Sequence, residues 1–548
     1  MSRFLCAALL LAVAPIADAA TFAVTRFDDP APNGCFVNDC SLREAVIAAN
    51  VTSTLDTIQL GSGTYSLTRG CTTDTPSCND LDVTRPLKII GQSATATVIV
   101  NAVPWFALPW QPPAQADRLH TRVVDLSATE VTLEKLALRD GMLQGSTAGA
   151  ALGGCLRATS TAVVLTDVHI SGCDAGSVSS GGGMAVDGGV LTLSKVRIAD
   201  NTAVNGGGIH SSKVRITGSD VEIADNVASS YGGGVYLFGG QLNLGGASHI
   251  VRNSADSGGG IVANHFATMI IGGSAATLAD RLAIEDNTSA NSGGGIEVIG
   301  INPFSNTAPL TISNLVLRRN LAANDGGGVY IALNGGAGAD PVLISDAEFH
   351  ANEAGGSGGG LHLDTPKTGG DSVSQRLSFW QNTANERGGA IFHVGGSALR
   401  HVSSTSNSAG IEGNSLYVVA SSPGTPNLAT PRIEFLTTTD EGPSSLVFGR
   451  PAEISASALD AGCVGPVIDL GANIRRDDMS GCPGVAVPSG QMGLGFGYHG
   501  GSQRVVGIVT VSSVLRNGAL NYPGTRDARG YVRQGLADIG AYEYDGTP

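Results

Sequence analysis

Arg197, Glu222 and His249 occupy matching positions in three successive repeats of the sequence and supply a cation, a carboxylate and an imidazole. Acid–base work on a polymer, or calcium binding, needs such groups to converge. They stand in the outward position between paired apolar residues, and the later repeats place Ala283, Val316, Glu348 and Ser378 there. A series that loses its charge so soon reads most simply as a solvated face, with the trio as its one catalytic candidate. A second outward series follows each glycine block: His210, Tyr236, Val262, Glu297, Tyr330, His362 and Phe392. Rings and imidazoles stacked up a flat sheet could hold a glycan or a protein strand. Aromatic residues also favour strands for their own sake, which is the competing explanation.

Three further patterns carry less. Asp28-Asp29 and Asp477-Asp478 are adjacent acids, but neighbours on a strand face opposite sides. Gly355–Gly359 spells G-x-S-x-G inside a glycine turn, without the strand–elbow–helix setting that a serine nucleophile requires. Gly335–Leu343, GGAGADPVL, fits one calcium-binding nonapeptide with Asp340 as its ligand, whereas working sites of that kind need tandem copies. No cofactor is expected.

The elements that position these residues are set by a repeat. VRIADNTAVNGGGIHS (Val196–Ser211) is followed by VEIADNVASSYGGGVYL (Val221–Leu237), and later copies include Leu315–Ile331 and Leu377–His393. The marker asparagines are Asn201, Asn226, Asn253, Asn287, Asn320, Asn352, Asn382 and Asn407, at spacings of 25, 27, 34, 33, 32, 30 and 25 residues. Each unit holds short alternating strands that cannot bury their apolar side alone, so successive units must stack. Val196 and Ile198 are predicted to point inward on one sheet and Ile209 on another. The fold class is therefore all-β, a right-handed parallel β-helix with a short N-terminal capping helix. A dozen coils at about 4.8 Å each would make a rod of roughly 60 Å. Asparagine tolerates the sharp corner, and stacked amides can bond from coil to coil. The glycines supply positive φ and close backbone approach. Leu191–Ala203 comes near a leucine-rich repeat, but a return segment of GGG and V-x-V is not one a helix would choose.

Composition agrees. Gly 77, aromatics at 5% and charged residues at 14% describe a turn-rich β protein with a surface of Ser, Thr, Asn and Gly. A net charge of −15 argues against nucleic acid and anionic lipid as partners. Residues 1–20 read as a signal peptide: Arg3, then an apolar Phe4–Ile16, then the small-residue site Ala17-Asp18-Ala19. Eight cysteines remain, and four local disulfides are expected, Cys35–Cys40, Cys71–Cys78, Cys155–Cys173 and Cys463–Cys482. No transmembrane segment is expected in the mature chain. Ser41 and Glu44 form a capping box, with Leu42, Ala45, Val46 and Ala49 on one face, so 41–50 should be a helix that plugs the first coil. The organisation read from the sequence is 21–84 for the N-terminal cap and first coils, 85–425 for the body, and 426–548 for the last coils and cap.

CSLREAVIAAN (Cys40–Asn50) resembles the segment that names the CSLREA-domain family of exported bacterial proteins, and DTIQLGSGTYSLT and LDVTRPLKIIG fit that family's early coils. FWQN and GGAI, at Phe379–Asn382 and Gly388–Ile391, resemble the repeats of chlamydial polymorphic outer-membrane proteins. RDARGYVRQGLADIGAYEY (Arg526–Tyr544) resembles the end of "choice-of-anchor Q" proteins. The resemblance implies a β-helix at or beyond the cell envelope, in adhesion or surface display. The polymorphic family ends in a membrane β-barrel; this sequence ends DIGAYEYDGTP, so export by a barrel of its own is not expected.

The leading expectation is an exported, non-catalytic protein, extracellular or at the cell envelope, that contacts a glycan or an envelope or host surface through its outward column. A polysaccharide lyase or glycoside hydrolase is the second reading, to be revived by a groove with converging carboxylates. A structural spacer is the third, favoured if the inserts between Asn253 and Asn352 cover the column.

Overall fold

Stacking, not pairing within a coil, satisfies the backbone of this chain. The structure, a computed structural model, describes residues 19–71, 75–103, 122–143, 152–273, 280–299, 309–333, 341–365, 372–419, 430–439, 442, 444–497, 499, 505–508, 513–516, 526–527, 529, 531–533 and 537–542, with backbone alone for 265–268 and 489. Parallel register runs from Thr21–Ala23, which pairs with Asp56–Gln59, to Ile474–Arg476, which pairs with Val485–Val487. The chain is a parallel β-helix. One interior column shows why: Ile170, Ile198, Ile223, Ile250, Ile284, Leu317, Phe349 and Phe379 are register partners in turn. All are fully buried, in one apolar core continuous from Cys40 to Cys482. Val196, Ile198 and Ile209 point inward as predicted.

The asparagine column is a hydrogen-bonded ladder. Each amide donates to the next amide oxygen, from Asn201 to Asn226 at 2.9 Å, Asn226 to Asn253 at 3.0 Å, and so on up to Asn382 to Asn407 at 2.9 Å. The same nitrogen donates to a backbone carbonyl below, as Asn320 does to Ile284. Each amide oxygen also accepts the preceding asparagine's backbone N–H, as Asn320 does from Asn287. At about 1 kcal/mol net per bond, the repetition is what gives the ladder its weight. One expectation is corrected. The left-handed corner falls on the residue before each asparagine, from Asp200 (φ 58°) through Ala351 (φ 51°) to Ser406 (φ 57°), and not on the asparagine. That bend turns the asparagine side chain inward, where the next amide can reach it.

A second series of left-handed residues, including Lys195, Asn314, Asp346 and Arg376, bends the longer strands. The strand Val190–Ala199 is thereby folded at Lys195 into two faces. At the glycine block the backbone itself leaves no room. Gly206 takes φ +63°, and a Cβ on Gly207 would lie 2.5 Å from the Gly233 carbonyl oxygen.

The N-terminal plug forms as predicted, as a helix over Leu42–Ala49 with a reciprocal Ser41–Glu44 box. Leu42, Ala45, Val46 and Ala49 join the core. The sequence reading missed what anchors it. Arg43 is buried and grips Asp29 with two bonds of 2.8 and 3.0 Å, and it also donates to the Asn79 and Asp80 carbonyls. Its neighbour Asp28 turns outward to Arg26, so the adjacent acids do face opposite ways. At the other end, part of the C-terminal segment lies against the side of the stack. Buried Arg533 donates to the Asp538 and Gly540 carbonyls, with its guanidinium 4.1 Å over Phe435. All four expected disulfides are present, and they fit an oxidising, exported environment. Among the described residues no helix is long and apolar enough to cross a membrane.

Candidate functional site

Each glycine block turns its coil through an elbow, and the stacked elbows make a furrow along the axis. One wall is the residue just before each block: Asn205, Tyr231, Ser257, Ser292, Asp325, Ser357, Arg387 and Glu412, whose carbonyls receive the glycine N–H of the coil below. The other wall is the predicted outward column. His210, Tyr236, Val262, Glu297, Tyr330, His362 and Phe392 are register partners in turn, and Tyr417 continues them. The column therefore exists, but it does not stand on a flat open sheet. Val262, Glu297 and His362 are buried, and the remaining predicted members are half-buried. They lean into the elbow, so that a Cβ on Gly293 would meet the Glu297 Cβ at 2.6 Å.

The walls touch across the furrow. Tyr231 and Tyr236 have ring centroids 6.3 Å apart, His362 Nδ1 lies 3.8 Å from Asp325 Oδ1, and Arg387 sits 5.3 Å over Tyr417. Within the column neighbouring rings contact one another: His210 stacks on Tyr236 at 5.4 Å and Phe392 on Tyr417 at 5.5 Å, while Tyr330 is tilted against His362 at 4.8 Å. The stacked pairs turn their faces to each other, so they offer a ligand edges and hydroxyl groups. This corrects the expectation of an open aromatic platform.

The middle of the furrow is acidic. Burial pushes the Glu297 carboxyl up to about 7; nearby Asp256 adds to the shift, and a hydrogen bond from Ser257 opposes it. Burial also raises Asp364, which lies two residues beyond His362 on its strand. The Tyr330 hydroxyl is raised by burial first and then by the charges of Asp325, Glu297 and Asp364, which places all three around it. Burial lowers His362, against the pull of Asp325. Among the described residues, Glu297 Oε2, His362 Nδ1 and Asp364 Oδ1 are buried here without a hydrogen-bond partner. The sequence reading found no carboxylate cluster because it followed one column. Asp325 and Asp256 sit at or just before the glycine blocks, on the opposite wall, and that column held the missing signal.

The other candidates fall elsewhere. Arg197, Glu222 and His249 are register neighbours on a different face. Arg197 pairs with Glu222 at 3.2 Å, but His249 turns to Glu285 at 3.4 Å instead of closing the trio. His249 is raised, chiefly by that hydrogen bond. Glu285 is brought down to about 2; burial, the largest influence, works against this and is outweighed by His249 and Arg318. The charges continue through Asp225–Arg252 and Asp286–Arg319, so this face is an ion-pair network of half-buried and exposed side chains around a buried Glu285. Ser357 of the G-x-S-x-G stretch lies on the furrow wall beside Asp325, whose Oδ1 accepts its backbone N–H at 2.7 Å. Asp325 is beyond hydrogen-bond range of His362, so no serine–histidine–aspartate relay is assembled. Asp340 lies outside the described residues, as do 274–279, 300–308 and 334–340 of the inserts between Asn253 and Asn352, on which the spacer reading depended. Among the described residues no group of three His, Cys, Asp or Glu is placed to hold a metal ion.

No family model matches the sequence, and no curated protein matches it. Among solved structures it is similar to pectin methylesterase PemA from Erwinia chrysanthemi, at 14% identity over 60% of this chain and 91% of that one, with a TM-score of 0.27. A pectin methylesterase in complex with hexasaccharide VII is similar at 13% identity, with the same coverages and a TM-score of 0.26. Likeness at this level carries no statement about activity. The fold stands on the strand register itself.

Proposed function

We propose that this chain is an exported glycan-contact protein, held at or beyond the cell envelope, whose ligand lies along the glycine-elbow furrow. One observation carries the reading. The furrow leaves Glu297 Oε2, His362 Nδ1 and Asp364 Oδ1 unmatched, in a molecule whose asparagine ladder matches its buried amides throughout. Buried polar atoms without partners cost about 1–3 kcal/mol each, and the hydroxyls of a sugar would satisfy them. The resemblance to CSLREA-domain and polymorphic outer-membrane proteins supports the same placement. Binding of the mature chain to immobilised glycans tests it: Tyr330→Ala and Phe392→Ala should together weaken the interaction at least about tenfold. Unchanged binding in both variants would remove the furrow from the account.

A second reading, glycan cleavage, draws on the same carboxyls. A Glu297 carboxyl that burial holds protonated has the makings of a general acid, and Asp325 stands on the facing wall as a second carboxyl. Release of new reducing ends or unsaturated ends from a polysaccharide panel, abolished by Glu297→Gln, would establish it.

A further inference from the structure

Resting on that reading, we propose that the acidic middle of the furrow takes the ammonium group of an amino-sugar unit, so that the ligand is an oligosaccharide with free amines rather than a polyuronate. The two walls carry side chains of one sign here. Glu297 is 6% exposed and His362 8%, and each holds a buried atom without a partner, Oε2 and Nδ1 respectively, on rungs either side of Tyr330. Asp364 adds a third unpartnered atom, and Asp256 and Asp325 stand on the facing wall. Among the described wall positions the basic side chain is Arg387, and it is bound to Glu412 at 3.3 Å. A ligand carboxylate would therefore meet only like charge. An ammonium donates three hydrogen bonds and brings the missing counter-charge, and charge-assisted bonds of this kind are the strong ones.

The protonation of Glu297 follows from the same vacancy of positive charge. Its surroundings are Ser257 and Asp256 on one wall, with Val262 and Tyr330 above and below, and none of these is a cation. A bound ammonium favours the ionised carboxylate, so below the folded value of about 7 the proton on Glu297 must leave for solvent as the amine docks. Binding thus releases a proton and tightens as pH rises toward 7, until the amine itself loses its charge.

Calorimetry on the full mature chain at about pH 6, in two buffers of different ionisation enthalpy, decides it. The probes are hexamers of glucosamine, N-acetylglucosamine and galacturonic acid. The glucosamine hexamer should bind about tenfold more tightly than its acetylated counterpart and release a proton, and the galacturonate should bind least. Glu297→Gln should abolish the tenfold preference and the proton release. Because glutamine copies the neutral carboxyl, this variant should fold, and Asp364→Asn provides a second one with the same expected direction. Equal affinity for the amine and acetylated hexamers, or a preference that survives Glu297→Gln, would overturn the inference and leave glycan contact standing. Binding of none of these hexamers, nor of any immobilised glycan, would remove the glycan-contact reading itself.

Discussion

The asparagine ladder and the glycine-elbow furrow are built by the same repeat, and they treat polar atoms in opposite ways. From Asn201 to Asn407 every rung carries the same residue, so each amide finds its donor and acceptor on the next coil. In the furrow the rungs differ: Val262, Glu297, Tyr330 and His362 follow one another, and partners are left over. A solenoid can satisfy a buried polar group cheaply only by repeating it. Where repetition stops inside a buried column, the unmatched group is either a defect or a contact for something else.

Four changes break or sharpen that contrast, and the largest concerns the ladder. Asn320→Ala removes the acceptor for two Asn287 donors and empties one donor each from Asn352 Oδ1 and the Ile284 carbonyl. It should cost roughly 3 kcal/mol or more, seen as a lower thermal midpoint and faster amide exchange on the adjoining coils, with glycan affinity unchanged for chains still folded. His393 comes next. It occupies an interior position whose register neighbours are Leu363 and Val418, and burial, with help from Arg450, holds it down at about 3. The unfolded chain takes up a proton near 6.5 while the folded chain does not. Stability is therefore full above 6.5 and falls by up to about 1.4 kcal/mol per pH unit between 6.5 and 3. His393→Leu should flatten that slope in chemical unfolding measured across pH.

Glu297 has the opposite sign. Its folded carboxyl holds a proton up to about 7 and its unfolded one only to about 4.5, so its contribution is complete below 4.5 and is lost as pH rises through 7. Glu297→Gln should match the parent at pH 4 and exceed it by about 2–3 kcal/mol at pH 8. A furrow residue that stabilises on replacement would be behaving as a site, not as a strut. The smallest effect belongs to the exposed charges. Arg197→Ala should change stability by about 0–1 kcal/mol and leave glycan binding untouched.

Most of the fold was legible because periodicity reports it. The asparagine spacing gave the coils, the glycine blocks gave the elbows, and Ser41 with Glu44 gave the plug. The left-handed corner was misplaced by one residue, since the asparagine's demand for an inward side chain is a property of the stack and not of the local chain. The furrow was half legible. Its outward column follows from strand alternation, but burial of Glu297 and stacking of the rings depend on how sharply the glycines fold the coil. Asp325 and Asp364 enter the site from neighbouring coils, across distances along the chain that no local pattern links. His249 shows the reverse case, a side chain correctly placed in its column whose partner, Glu285, lies on a different one.

A crystal structure of the chain with its best-binding oligosaccharide tests the central claim most directly. The expected result is sugar within hydrogen-bond distance of Glu297, Tyr330 and His362, in line with the axis. Sugar held instead on the Arg197–Glu222–His249 face, with the furrow unchanged and empty, would contradict it.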